Sequence, residues 1–365
     1  MIYFMEYSSG GIRGGELYNA HLHRFIKSKF EVDPEEICPF PRELRNPIRH
    51  SLFSLKSVKA KKPQLIVFDI SSGMRNLLAI RSMKKNKRKS LLIIQEERLN
   101  LRWDNFFVKW LIRQVEKYLV INSDIFVVNS RYSADLARKK GAPQNAPIII
   151  AHPGMENFLK DTEINADIPE PPSETFEILY VGVCKKHKGI IYLVKAVSLL
   201  KNCNINLNIV GQYSSGSKYY KHIQRFIERN GLKDRVKFHG FLEREKLFEL
   251  FSKSQLYVHP SLMEGYGMVL AEAMSFGLPI VSTTAGAIPE LIENRVNGIL
   301  VNPASSKELA GAIESLYKDI KLRNAISLNN LEKVKNLYTW EDFDKTLEKK
   351  LVPVIVADAG LAPRN

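Results

Sequence analysis

The sequence predicts an α/β protein of two doubly wound parallel-sheet units. Three observations carry this reading. Short, nearly continuous apolar runs alternate with helical patterns along the whole chain. The 365 residues are too many for one ordinary core. The acidic, proline-rich stretch LKDTEINADIPEPPSETF, 159–176, has no periodicity and parts two halves of similar style.

The opening MIYFMEYSSGG has no basic flank and too short an apolar stretch for a signal peptide. It reads as a strand running into a loop. LIVFDI (65–70), LLIIQ (91–95), IFVVNS (125–130) and PIIIAH (147–152) follow as strands. Their continuous apolar character suits parallel strands with helices on both faces. Beyond the linker, EILYVG (177–182), INLNIVG (205–211), QLYVHPS (255–261), PIVST (279–283) and GILV (298–301) repeat the style. Helical stretches lie between them at 187–200, 217–230 and 305–318. The last opens with Ser305 and Glu308 at capping-box spacing.

Composition narrows the function classes. No run approaches the roughly 18 apolar residues of a membrane span. Cys38, Cys184 and Cys203 are scattered and match no metal spacing, which points to a reducing compartment and small core residues. The net charge of +15 is unevenly spread. Residues 1–150 hold 27 of the 54 Lys and Arg but only 14 of the 39 Asp and Glu. An anionic surface met by the first half is the implication.

Three glycine-containing loops are candidate sites. SSGGIRGGE (8–16) follows a strand and leads into the helical ELYNAHLHRFIK. Its glycines let backbone amides approach an anion, although the spacing is not a dinucleotide fingerprint. VGVCKKHKG (181–189) places Lys185, Lys186 and Lys188 between a strand and a helix, a setting suited to a diphosphate or to plain solvation. EGYGMVLAE (264–272) is the third. Glu264 falls in the loop after a strand, Gly265 and Gly267 permit a tight turn, and MVLAEAMSF reads as a helix stopped by Gly277 and Pro279. Ligands of open α/β sheets bind beyond the carboxyl ends of strands. Glu272, inside the helix, needs a partner. A ligand hydroxyl and a nearby backbone amide both qualify.

The stretch EGYGMVLAEAMSFGLPIVSTTAGAIPELIENRVNGILV resembles the signature region of the retaining nucleotide-sugar glycosyltransferases of family 4, which have the GT-B fold. Weaker matches stand in order at GGE (14–16), VVNS, HPGME (152–156), KG (188–189), VG (210–211) and VKFHGF (236–241). The resemblance implies two Rossmann-like domains facing across a cleft. Residues 1–158 would bind acceptor, 159–176 would link, and 177–330 would bind the nucleotide sugar. A helix at 331–350 would pack back on the first domain; no role is read for the tail 351–365.

The resemblance also assigns residues. Glu264 would sit near the donor sugar and its phosphate, and Glu272 would hold the ribose hydroxyls. Backbone amides of Tyr266, Gly267 and Met268 would hold sugar hydroxyls, and those of Val269 and Leu270 the phosphate. Lys188 would bind the diphosphate, Gly14 and Gly15 would approach the phosphate from the other domain, and Gly240 and Phe241 would flank the base. Two positions depart from the family pattern. Val183 stands where an Arg is usual, leaving Lys185 or Lys186 to substitute. Gln95 and Glu96, on the acceptor side, follow a strand that often ends in His.

The implied activity is retaining hexosyl transfer from a UDP- or GDP-linked sugar to a glycan or lipid-linked acceptor, in cell-envelope or glycoconjugate biosynthesis. Lys188 and helix-terminal amides would stabilise the departing phosphate. No cofactor or metal is expected. Asp342-Phe343-Asp344 spells a metal-like pattern, but Thr339 ahead of it reads as a helix cap. His259 reads as a strand residue of the core or cleft wall.

RSMKKNKRK (81–89) holds six cations in nine residues. Nearby, Trp103, Phe106, Phe107, Trp110 and Leu111 fall on one broad helical face among Lys and Arg. Such a helix can lie on an anionic membrane, so a cytoplasmic chain, peripheral on the inner face, is expected. A core-facing helix with a solvated charged side is the plainer alternative. Two rival functions remain: a non-catalytic nucleotide-sugar-binding subunit, and a basic nucleic-acid-binding protein. The second lacks any recognisable module, so no nucleic acid is expected.

Overall fold

The computed structural model describes residues 1–5, 14–32, 47–70, 73–95, 106–155 and 175–364. Cys38, Glu96, Trp103 and nearly all of the 159–176 linker lie outside the described residues. The chain divides into Met1–Gly154 with Tyr338–Asn365, and Met155–Leu337.

The first unit carries a sheet of five parallel strands in sequence order: β1 (Ile2–Met5), β2 (Leu65–Asp69), β3 (Lys89–Ile94), β4 (Ile125–Val128) and β5 (Ile148–Ile150). On the other edge of β1, Ile2 bridges Val32 in parallel. Helices α1 (Gly14–Lys29), α2 (Pro47–Lys61), α3 (Gly73–Lys85), α4 (Phe106–Asn122) and α5 (Arg131–Lys139) connect the strands. Alternate strand residues enter separate cores. Leu65, Val67, Leu91 and Ile93 pack with Leu22 and Ile26 of α1. Ile66, Phe68, Leu92 and Ile94 pack with Ile80 and Met83 of α3 and Leu119 and Val120 of α4. Both faces are buried, which is why these strands read as unbroken apolar runs.

The second unit holds six parallel strands: β6 (Phe176–Val181), β7 (Ile205–Val210), β8 (Val236–Gly240), β9 (Leu256–His259), β10 (Ile280–Thr283) and β11 (Ile299–Val301). Their spatial order is β11-β10-β9-β6-β7-β8. Helices α6 (Ile190–Leu199), α7 (Lys218–Arg229), α8 (Arg244–Lys253), α9 (Met268–Ser275), α10 (Ile288–Leu291), α11 (Ser306–Lys318) and α12 (Ile320–Val334) surround it. Strand order reverses between β6 and β9, so the crevice for a ligand opens beyond those two carboxyl ends. At α11, Ser305 accepts the Glu308 amide, but the Glu308 carboxylate takes the Asn302 amide instead of closing the capping box.

The expected helix at 331–350 is two elements. Residues through Val334 complete α12 in the second unit, and α13 (Trp340–Lys350) belongs to the first. Thr339 and Asp342 close a reciprocal capping box that starts α13. Phe343 and Leu347 of α13 are buried with Leu351, and with Ile355 of α14 (Val352–Ala359), in the core that holds α1. The tail that carried no role in the sequence is thus core of the first unit.

Candidate functional site

The turn after β6 and the loop after β9 build the site. Lys186–Lys188 form one 3₁₀ turn, ended by Gly189 in the left-handed region at φ 67°. That turn is tied to the β9 loop: the Leu262 amide donates to His187 O at 2.7 Å, and Ser261 Oγ donates to the same oxygen at 3.2 Å. A Cβ on Gly189 would lie 1.9 Å from Pro260 O. Only glycine allows this approach, and the approach delivers Lys188 to Glu264.

Glu264 is 7% exposed. Its Oε2 accepts from Lys188 Nζ at 2.7 Å and lies 2.7 Å from His259 Nε2. Burial pushes the carboxyl up, but the Lys188 charge and the His259 hydrogen bond outweigh it and hold Glu264 well below the usual carboxylate range. Burial lowers His259, more than Glu264 raises it, so the neutral ring donates Nε2–H to the carboxylate. Its Nδ1 faces Tyr257 Oη at 3.4 Å, and that hydroxyl also lies 3.3 Å from Val181 O. His259 is 1% exposed, as a core or cleft-wall residue should be, and its hydrogen bond to Glu264 adds it to the candidate site.

The backbone of Glu264 is pinned as well. Its carbonyl accepts the Ala287 amide at 2.9 Å, and a Cβ on Gly286 would fall 2.0 Å from that oxygen. Thr283 Oγ1 donates to Ser261 O at 2.6 Å. The Gly-x-x-Pro-Glu turn after β10 therefore shapes the acid's loop, and Gly286 is a structural member of the candidate site.

Gly267 caps α9 in the left-handed region at φ 93°. Met268 and Val269 begin the helix, where amides lack intrahelical acceptors. The Leu270 amide donates to Gly267 O at 2.8 Å in a tightened first turn. The Tyr266 side chain is buried against α9. Glu272 lies half-buried in α9. Burial raises the Tyr257 hydroxyl, and the charges of Glu272 and Glu264 raise it further, so both acids bear on that buried ring. Lys185 and Lys186 are exposed beside half-buried Lys188, and Val183 offers no charge. Gly240 ends β8 at φ 74°, and the Phe241 that follows is 66% exposed.

In the first unit, Gly14 and Gly15 open α1 instead of lying in the preceding loop, because the helix starts two residues before Glu16. Gln95, directly after β3, is buried; its Nε2 donates to Asn19 Oδ1 and lies 3.4 Å from Asp69 Oδ2. Ser133 Oγ donates to Gln95 O at 3.2 Å. Sequence reasoning misses Asn19 and Asp69; the signal for Asp69 is a polar residue ending the apolar strand β2, and Asn19 inside α1 carries none.

Cys203 is buried in the core, and half-buried Cys184 packs against it, its thiol pushed up to about 11 by burial. Among the described residues, no group of three or more His, Cys, Asp or Glu could hold a metal ion. Asp342 is committed to the α13 cap. No described helix is long and apolar enough to cross a membrane.

Two Rossmann-like parallel sheets, one with a buried acid and a lysine at its switch point, define the GT-B fold. The structure of sucrose-phosphate synthase from Thermosynechococcus elongatus matches with TM-score 0.76 at 20% identity, over 98% of this chain and 99% of that one. Anabaena HepE, solved with UDP and glucose, matches with TM-score 0.73 at 20% identity, over 96% and 99%. At such identities the likeness is one of fold. Residues 161–333 match the family model described as glycosyl transferases group 1. A D-inositol 3-phosphate glycosyltransferase of Paenarthrobacter aurescens is 30% identical over 53% of this chain. The chain spans 47% of that relative's length.

Proposed function

We propose that this protein is a retaining, metal-independent glycosyltransferase of family 4. It moves a hexosyl-type sugar from a UDP- or GDP-linked donor to a glycan or lipid-linked acceptor in glycoconjugate or cell-envelope biosynthesis. The observation that carries this reading is the Lys188–Glu264–His259 cluster at the β6/β9 switch point. The second unit binds donor. Lys188, the first-turn amides of α9 and the neighbouring Lys185 offer positive charge to the diphosphate as the sugar–phosphate bond breaks. Glu264 orients Lys188 and faces the donor sugar, and Glu272 holds the ribose hydroxyls. Tyr266, Gly267 and Met268 offer backbone amides to the sugar, and Gly240 and Phe241 flank the base. The first unit serves the acceptor, with Gln95 as its polar contact.

A panel of nucleotide sugars tests the donor assignment. The true donor at about 100 times its Kd stabilises the protein by about 2.7 kcal/mol, read as a rise in Tm. Absence of any shift across UDP- and GDP-sugars overturns it.

The basic first unit contacts an anionic membrane. On α4, Phe107, Trp110 and Leu111 are 66%, 48% and 39% exposed. Phe107 and Trp110 stack at 5.9 Å, and the end of neighbouring α3 and the turn after it expose Arg81, Lys84, Lys85 and Lys87. Sedimentation with anionic vesicles is expected at low salt and to fall as salt rises. Failure to sediment at low salt refutes membrane contact and leaves donor binding standing.

A further inference from the structure

Three aromatic rings form a stacked corner beyond β7 and β8. Tyr213 lies flat on Tyr220, with ring centroids 4.5 Å apart and planes 7° from parallel. Phe238 meets both edge-on, at 5.7 Å from Tyr213 and 5.3 Å from Tyr220. Tyr220 stands in the first turn of α7, whose N-cap Ser217 Oγ accepts its backbone amide at 3.0 Å. Tyr213 nevertheless keeps 39% of its surface exposed. A ring stacked on one face, braced at its edge and still partly exposed can offer a preformed stacking surface.

Its place gives the surface a partner. The Gly211 amide donates to Gly240 O at 2.8 Å, and Gln212 O accepts the Cys184 amide at 2.9 Å. A Cβ on Gly211 would fall 2.2 Å from Gly182 O. The segment carrying Tyr213 is therefore fastened to the end of β8 on one side and to the segment leading to Lys188 on the other. A flat ligand group on Tyr213 and an anion at Lys188 would belong to one molecule, an aromatic base joined through a sugar to a diphosphate.

We propose that Tyr213 is the stacking platform for the base of the nucleoside diphosphate, with Tyr220 fixing its orientation. The proposal rests on the donor reading above. Stacking tolerates any base, so Tyr213 separates base-carrying ligands from base-free ones.

Calorimetry on the full chain tests this with UDP, GDP and base-free ribose 5-diphosphate. Tyr213→Ala is expected to weaken the better nucleoside diphosphate roughly 5- to 150-fold. Ribose 5-diphosphate should bind wild type and variant within about twofold. Tyr213→Phe should bind like wild type, because stacking uses the ring and not the hydroxyl. Three results overturn the proposal: an unchanged nucleotide affinity in Tyr213→Ala, an equal loss for ribose 5-diphosphate, or an equal loss in Tyr213→Phe. If wild type binds neither UDP nor GDP, the donor reading itself fails, and Tyr213 with it.

Discussion

Glu264→Ala is expected to lower glycosyl transfer roughly 10²- to 10³-fold while nucleotide binding stays measurable. The reason is the double engagement of one carboxylate oxygen, 2.7 Å from Lys188 Nζ and 2.7 Å from His259 Nε2. Alanine removes the only charge that this pair converges on. In the proposed reaction, Lys188 then loses the group that would aim it at the departing phosphate. Truncating one partner of a buried pair typically costs about 3–5 kcal/mol. The Lys188 side chain keeps 16% exposure, so the lower end applies. Glu264→Gln separates the two effects: it keeps the shape and an acceptor for His259 but removes the charge. Transfer should stay low in Glu264→Gln while Tm recovers in part. Single-turnover transfer and calorimetry read the outcome, and full turnover in either variant would remove Glu264 from the mechanism.

Gly286→Ala is expected to destabilise the second unit by about 3 kcal/mol, on the order of 6–12 °C in Tm. Gly286 sits at φ 61°, and an added Cβ would stand 2.0 Å from Glu264 O. That neighbour is backbone, so no rotamer change relieves the overlap. The Ala287 amide donates to the same oxygen, so shifting the turn also breaks that 2.9 Å hydrogen bond. The displaced carbonyl carries Glu264 with it, and transfer should fall beyond what stability explains. Gly231→Ala is the control: its φ is 62°, but nothing stands within 4 Å of the added Cβ. It should cost roughly 1 kcal/mol through φ alone. Equal losses in the two variants, measured by thermal unfolding, would show that the close approach carries no weight.

Much of the architecture was legible in the chain. LIVFDI and EILYVG are largely apolar runs because helices cover both faces of their sheets, and the structure buries both faces. Ser305 and Thr339 announced helix starts because a cap is a local hydrogen bond. The α12/α13 break was hidden, because a helical pattern does not say which core a helix joins. Trp340, Phe343 and Leu347 make the first unit the destination only through contacts with residues some 300 positions earlier.

The site divides along the same line. Glycines and acids around EGYGMVLAE, and lysines around VGVCKKHKG, were visible because special backbone angles and charge demand particular residue types at fixed spacing. The sequence by itself determined two parallel α/β units, the loops that carry the site and the identity of its charged groups. Only the tertiary structure decided that Lys188, His259 and Glu264 share one carboxylate oxygen, and that Gly189 and Gly286 must be bare for Pro260 and Glu264 to come so near. Lys188 and Glu264 lie 76 positions apart in the chain, and their pairing follows from the order of strands in the sheet. That order is set by burial summed over the whole unit, which no local stretch of sequence contains.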